Sequence, residues 1–325
     1  MCTAATYETK SFYFGRNLDL EFSYEESVTV TPRNYPFVFK MAQPLKSHYA
    51  MIGMSFVQDG YPLYYEATNE KGLSMGGLNF VGNAVYHKEP QAGKDNIAPF
   101  EFIPWILGQC DCLKDVRTLL AKIRLVDVPF NDKLPNSQLH WMIANREGCI
   151  VVESMKDGLH IHENYVGVLT NNPPFPYQMQ NLANYMLLSP KPPANHFCPD
   201  IPLEPYSRGM GAMGLPGDWS SESRFVHAAF TRLNSVSGEG EMESVHQFFH
   251  ILESVAMPSG CVDMGDGKFE ITIYSSCCNA DTGVYYYTSY LNGGLTAVDM
   301  HREDLESAAL RSYPMVQQPQ VFFQN

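Results

Sequence analysis

A chain of 325 residues that is 45% hydrophobic and 18% charged can bury a large core and is too apolar to be a disordered tract. A formal charge of −13 sets it against phosphate backbones and anionic membrane surfaces, which excludes nucleic acid as an expected partner. No apolar run approaches the roughly 20 residues of a membrane span, and the N-terminus lacks a signal peptide's basic flank and apolar segment, so the expected location is cytoplasmic, with no membrane partner.

In chain order, the first element carries the most chemistry. Residues 2–7 read as a strand that begins on Cys2, directly behind Met1 in the run MCTAATY. Methionine is normally trimmed before so small a side chain. Its removal gives Cys2 a free α-amine beside its thiol, with ordinary pKa values of about 8 and about 8.5, so a base and a nucleophile share one residue near neutral pH. By itself this is weak evidence, since every chain has a second residue. Residues 11–18 return as the second strand of a hairpin and lead into Gly15-Arg16-Asn17-Leu18-Asp19. A guanidinium beside Cys2 favours thiolate, and a carboxylate can fix the direction of the α-amine. A surface ion pair at a strand end is the alternative.

Further strands are expected at 27–31, 37–41, 49–57, 61–68 and 72–78, the last two joined by the turn Asn69-Glu70-Lys71-Gly72. Helices are expected at 98–108 and at 113–125, where Val116, Leu119, Leu120 and Ile123 recur at three and four. Strands return at 139–144, 149–154, 159–162 and 166–169, followed by helices at 177–188, 221–233 and 241–256. The Pro/Gly-rich stretch 190–217 reads as a long ordered loop, and closing strands are expected at 269–277, 283–290 and 295–299. Runs of strands alternating with runs of helices imply an α+β fold of layered sheets with helices outside, not a parallel βαβ sheet. No linker or repeat divides the chain, so 1–325 reads as one domain.

The cysteines are Cys2, Cys110, Cys112, Cys149, Cys198, Cys261, Cys277 and Cys278, and in a long cytoplasmic chain they are expected as reduced thiols. Cys110-Asp111-Cys112 and Cys277-Cys278 lack the two-residue separation of a zinc knuckle, and His246 with His250 lacks the Glu that follows the first His of a metalloprotease helix. No metal and no other cofactor is expected.

The blocks MCTAATY (1–7), YFGRNLDLEFSY (13–24), GLNFVGNAVY (77–86), PFEFIPWILGQC (99–110), GVLTNNPPF (167–175), GLPGDWSSESRF (214–225) and QFFHIL (247–252) together resemble the choloylglycine hydrolases, specifically their bile salt hydrolase branch. They run from the first residues into the last third of the chain. The resemblance implies a four-layer αββα sandwich of the N-terminal nucleophile hydrolase type, a homotetramer, and hydrolysis of the amide joining a bile acid to glycine or taurine. It implies Cys2 as nucleophile with Arg16 and Asp19 beside it, completed by Asn79 of GLNF, Asn171 of LTNN and Arg224 of ESRF. Asn172 is the less favoured of the adjacent asparagines. Related penicillin V acylases usually carry tyrosine where this chain has Asn79, which tilts the implied substrate towards bile salts.

The chemistry of these residue types agrees. Attack of the Cys2 sulfur on an amide carbonyl makes an oxyanion that an asparagine N–H and a backbone N–H can stabilise, one such donor being worth about 3 kcal/mol. Asn79 and Asn171 carry suitable groups. The α-amine takes the thiol proton and returns it to the leaving amine, which leaves a thioester for water, or for a second amine in a transferase side reaction. Arg224 opens a predicted helix, where its charge opposes the dipole, and an ion pair with Asp19 is the expected compensation. A rigid steroid with an anionic tail needs apolar walls and one or two cations. Leu18, Leu20, Tyr24, Phe56, Tyr61, Tyr64, Phe130 and Leu134 are the candidate walls, each equally suited to the core. Arg208, behind Ser207 in the long loop, is the candidate partner for the tail, with an exposed loop charge as its alternative. The rivals are a penicillin V acylase or broader N-acyl amide hydrolase and, in another class, a non-catalytic bile-acid or metal-binding protein.

Overall fold

In a computed structural model that describes residues 1–325, the chain opens with β1 (Cys2–Glu8), β2 (Phe12–Leu20), β3 (Ser27–Thr31), β4 (Met51–Gln58), β5 (Tyr61–Asn69) and β6 (Ser74–Asn79). Next come β7 (Asp95–Ile97), α1 (Phe102–Leu107), α2 (Leu113–Leu120) and β8 (Ile123–Leu125), then β9 (Leu139–Asn145), β10 (Gly148–Met155), β11 (Gly158–Glu163) and β12 (Val168–Leu169). The last part holds α3 (Phe175–Asn181), α4 (Ser221–Asn234), α5 (Glu241–Glu253), β13 (Asp263–Gly265), β14 (Lys268–Phe269), β15 (Ile271–Asn279), β16 (Val284–Ser289), β17 (Thr296–Asp299) and β18 (Arg311–Pro314).

Two antiparallel sheets stack on each other. The first runs β12-β1-β2-β15-β16-β17 and the second β11-β10-β9-β6-β5-β4-β3-β18. Helices α4 and α5 cover the first sheet through β1, β2, β12 and β15, while α1 and α2 cover the second through β5, β6 and β9. The layers are therefore helix, sheet, sheet, helix. Sandwiched between helices and a second sheet, β1 is buried at every residue from Cys2 to Tyr7, and so shows a continuous buried run instead of in-out alternation. Gly15 in β2 is required by close approach, because a Cβ there would strike the carbonyl oxygen of Ser276 in β15.

Several sequence expectations change. Residues 37–41 form no strand: Phe37 and Phe39 are buried and alternate with exposed neighbours, but Phe37 makes only an isolated bridge to Leu45 and the N–H of Lys40 goes to Glu101 Oε1 at 2.6 Å. The helix expected over 113–125 stops at Leu120, and Ile123–Leu125 pairs in parallel with β7. Ile123 fits the helical spacing from Val116 and Leu120 as well as a short strand, so periodicity alone could not separate them. The helix expected at 177–188 starts earlier, at Phe175 behind Pro174, and passes into a 3₁₀ turn at Leu182–Tyr185. Strands β7, β13, β14 and β18 are short additions.

Candidate active site

The hairpin β1–β2 sets the geometry. Its register pairs Cys2 with Leu18 and Ala4 with Arg16, so alternation places Cys2, Arg16 and Leu18 on one face and Thr3, Asn17 and Asp19 on the other. The first of these faces borders the gap between the sheets, and the opposite face is turned towards α4 and α5. Arg16 and Asp19 therefore reach Cys2 from opposite sides.

On the inner face, Arg16 Nη1 crosses the gap and donates to the carbonyl oxygens of Gly77 at 2.6 Å and Tyr65 at 3.1 Å, both on the second sheet. Its Nε stands 3.8 Å from Glu66 Oε2, and Nη2 has no partner on the protein. Glu66 in turn accepts from the hydroxyls of Tyr285 at 2.5 Å, Tyr274 at 2.7 Å and Ser276 at 3.0 Å. Burial raises the Glu66 carboxyl pKa, opposed first by Arg16 and then by the three hydroxyls. For Arg16 burial alone lowers the pKa, but the acidic groups of Cys2, Tyr274, Glu66 and Asp19 outweigh it and hold the guanidinium above its ordinary value.

On the outer face, Asp19 Oδ1 accepts from Thr272 Oγ1 at 2.6 Å and Oδ2 lies 3.9 Å from Arg224 Nη1. A bulge in β15 between Thr272 and Tyr274 brings Thr272 opposite Asp19 and Tyr274 opposite Leu18. Burial raises the Asp19 pKa, with Arg224, the chain's amino group, Thr272 and Arg16 pulling it back. Arg224 sits in the first turn of α4, which is capped by Ser220 Oγ accepting from Ser223 N at 3.3 Å. Its guanidinium donates to the Cys2 carbonyl at 2.6 Å, Thr3 Oγ1 at 2.7 Å, Asn171 Oδ1 at 2.7 Å and the Trp219 carbonyl at 3.0 Å. These acceptors, with Asp19, offset the unfavourable helix dipole.

The two asparagines differ in task. Asn171 Oδ1 accepts from the Cys2 nitrogen at 2.9 Å, and Nδ2 donates to the Asn79 carbonyl at 2.8 Å, so its amide is committed to holding the chain around Cys2. Asn79, at the end of β6, borders the cavity with Cys2 and is the asparagine whose side chain can meet an oxyanion there. Asn172 is exposed and donates to the Val81 carbonyl at 2.7 Å. With Met1 in place, the Met1 amine donates to the Asp19 carbonyl at 2.8 Å and pairs with Glu270. The Cys2 nitrogen is then an amide and holds no base.

A cavity of about 490 Å³ opens over Cys2, Arg16 and Asn79. Of the wall candidates, Leu18, Leu20, Tyr24, Phe56, Tyr64, Phe130 and Leu134 line it, joined by Leu63, Tyr65, Phe100, Ile103 and Trp141, with Lys133 as a further cation. Two candidates do not line it. Tyr61 lies behind the wall, its ring 5.9 Å from Phe100, 5.8 Å from Phe130 and 5.8 Å from Phe37. Arg208 is outside the cavity and exposed, because its loop is tied down by Ser189 N donating to the Gly211 carbonyl at 2.9 Å and runs over the surface between. Three other cysteines are poorly suited to nucleophilic work, because burial pushes the thiols of Cys110, Cys149 and Cys278 up to about 12. Asp111, Cys112 and Asp115 lie close enough to share a cation, but none of them lines the cavity.

Glu66, Thr3 and Thr272 were not anticipated. Glu66 had a signal, as a lone acid near the end of the apolar run Tyr61–Ala67. The two threonines had none, since a hydroxyl in a strand carries no directional information until its neighbours are known.

The arrangement is a thiol at a strand start, flanked by two buried guanidiniums, an amide donor and a carboxylate, under an apolar cavity. It suits acyl transfer from an amide with an apolar acyl group. A family model for linear amide C–N hydrolases of the choloylglycine hydrolase family matches residues 2–313. A bile salt hydrolase/transferase of Lactiplantibacillus plantarum is 52% identical, over 100% of both chains. A crystal structure of a conjugated bile acid hydrolase from Clostridium perfringens superposes with a TM-score of 0.92 at 36% identity, covering 100% of both chains. A penicillin V acylase from Agrobacterium tumefaciens shares the fold, with a TM-score of 0.76 at 19% identity over 96% of this chain and 90% of that one.

Proposed function

Because the chain belongs to the choloylglycine hydrolase family of linear amide C–N hydrolases, we propose that it hydrolyses the amide joining a bile acid to glycine or taurine, with Cys2 as nucleophile once Met1 is removed. The observation that carries this assignment is the meeting of Cys2, Arg16 and Asn79 at one apolar cavity of about 490 Å³, large enough for a rigid polycyclic acyl group.

The steps follow from the geometry. The freed α-amine of Cys2 takes the thiol proton, with the Arg16 guanidinium bordering the same cavity. The sulfur adds to the amide carbonyl and Asn79 donates to the oxyanion. The α-ammonium then passes its proton to the leaving nitrogen of glycine or taurine as the C–N bond breaks, leaving a thioester. Water, deprotonated by the same amine, attacks the thioester and releases the bile acid. Asn171 and Arg224 hold the Cys2 main chain through its nitrogen and carbonyl, and Asp19 balances Arg224. An amine in place of water gives a new conjugate, in keeping with the hydrolase/transferase name of the L. plantarum relative.

Release of glycine or taurine from paired conjugates, compared with release of 6-aminopenicillanic acid from penicillin V, separates this activity from the acylase alternative. Faster turnover of penicillin V would reverse the assignment. The same proposal takes the enzyme as a cytoplasmic homotetramer of one-domain chains. Leu187, Phe197 and Tyr206 of the long loop, 95%, 82% and 84% exposed, are apolar surface in keeping with subunit contact, and light scattering of the purified protein tests it. Arg208 on that loop remains the proposed partner of the anionic tail, supplied across such a contact. Equal effects of Arg208→Ala on glycine and taurine conjugates would remove it from selectivity.

A further inference from the structure

Behind the two asparagines stands a buried histidine that the steps above do not use. His140 of β9 is fully buried and follows Leu139, the register partner of Asn79. Its ring lies flat against Phe80, the residue after Asn79, with centroids 4.4 Å apart and planes 5° from parallel. Nε2 is 2.9 Å from the carbonyl oxygen of Thr170, the residue before Asn171, and Nδ1 is 3.1 Å from Glu153 Oε1. Glu153 of β10 is also fully buried, and the same Oε1 accepts the N–H of Phe175 at 2.9 Å. One histidine–glutamate pair therefore grips both ends of the segment 170–175 that carries Asn171, and underlies the end of β6 that carries Asn79.

Both ring nitrogens face acceptors. A carbonyl oxygen can only accept, so Nε2 carries a hydrogen, and a second proton lies between Nδ1 and the Glu153 carboxyl. The ring donates to Thr170 through Nε2 and shares the other proton with Glu153. Glu153 Oε2 has no hydrogen bond, and the nearest cation candidate, His162 Nε2, stands 3.4 Å away and is partly exposed. A neutral ring could keep both contacts only by moving the proton onto Glu153. Apolar side chains in this space would leave the Thr170 carbonyl and the Phe175 N–H unpaired, so the pair supplies partners that this segment needs.

We propose that His140 and Glu153 are positioning residues for amide cleavage: they fix the Thr170–Asn171 backbone, and through Asn171 the Cys2 nitrogen, while the His140 ring seats Phe80 beneath Asn79. This rests on the hydrolase assignment above. Glu153→Gln and His140→Gln, assayed on a glycine-conjugated and a taurine-conjugated cholate, are expected to lose about tenfold or more in kcat, a change of about 1.4 kcal/mol, with KM within about threefold. A purely structural pair would instead lower the thermal midpoint and leave the kcat of the folded fraction intact, and that result overturns the proposal. The unaltered enzyme supplies a readout that needs no variant to fold and no substrate: side-chain ¹⁵N shifts of His140. A hydrogen on Nε2 across the active pH range supports the grip on the Thr170 carbonyl, whereas a bare Nε2 overturns it. If the unaltered enzyme releases neither glycine nor taurine, the substrate assignment fails while the ¹⁵N shifts still decide whether Nε2 donates to Thr170.

Discussion

The floor and the walls of the cavity are built in opposite ways. At and beneath the floor Cys2, Arg16, Asp19, Asn171 and Arg224 are each at most 6% exposed, and Arg16 and Arg224 are bonded to main-chain groups of both sheets and of the turn before α4. The walls are side chains in contact with one another: Phe100 and Phe130 meet edge to face at 5.4 Å, while Tyr24 is 41% exposed at the rim. Phe130 and Leu134 come from a connection between β8 and β9 with no regular structure of its own. The difference teaches that the chemistry is anchored to the backbone of the sandwich while the rim of the wall, at Tyr24, Phe130 and Leu134, rests on loop side chains, so damage to that rim should leave the floor nearly intact.

The sharpest separation is Cys2→Ala, which removes the nucleophile and little else. We expect kcat to fall by about 10⁴ or more with an unchanged melting temperature and retained binding of the conjugate, read by calorimetry; hydrolysis surviving in this variant sinks the nucleophile assignment. Arg16→Met should break the floor structurally as well as chemically. It strands Glu66 between the sheets, and loss of one partner of a buried pair costs about 3–5 kcal/mol, measured by urea unfolding. Arg16→Met combined with Glu66→Gln should recover part of that loss. At the wall, Phe130→Ala should raise KM about tenfold, on the scale of a lost buried side chain, with kcat nearly unchanged. An equal fall in kcat would show that floor and wall are not separable. The smallest effect is on pH. Burial raises the Glu66 carboxyl pKa in the folded state, so its contribution to stability is complete below the unfolded value of about 4.3 and is lost as pH rises through the folded value. Glu66→Gln should therefore flatten the decline in unfolding free energy between acid and neutral pH, and an unaltered slope would show that Glu66 does not titrate there.

The floor was legible in the sequence because its elements are local: Cys2 at a strand start, Arg16 and Asp19 on the returning strand, and blocks that resemble one family. What could not be read is which face each residue takes. Arg16 and Asp19 both seemed free to approach the sulfur, but the alternation of β2 gives the inner side to Arg16 and leaves Asp19 to α4. Nor does sequence reveal the pairing of β2 with β15, more than 250 residues apart by chain position, whose bulge delivers Thr272 to Asp19. The apolar wall residues were recognisable by type. Tyr61 stands behind the wall because an inward side chain can face either a cavity or a core, and Arg208 stands outside this chain's cavity because the path of a long irregular loop is fixed by distant contacts.

Arg16 donates across the sheet gap to the carbonyls of Tyr65 and Gly77 while standing beside Cys2, so it is both a stitch in the sandwich and part of the site. A constellation held this way is not portable. A hairpin carrying Cys2, Arg16 and Asp19 into another scaffold would arrive without the acceptors that aim its guanidinium, and it would leave this one unstitched. New specificities in this architecture are therefore to be sought in what the loops admit, with the nucleophile and its cations inherited as a block.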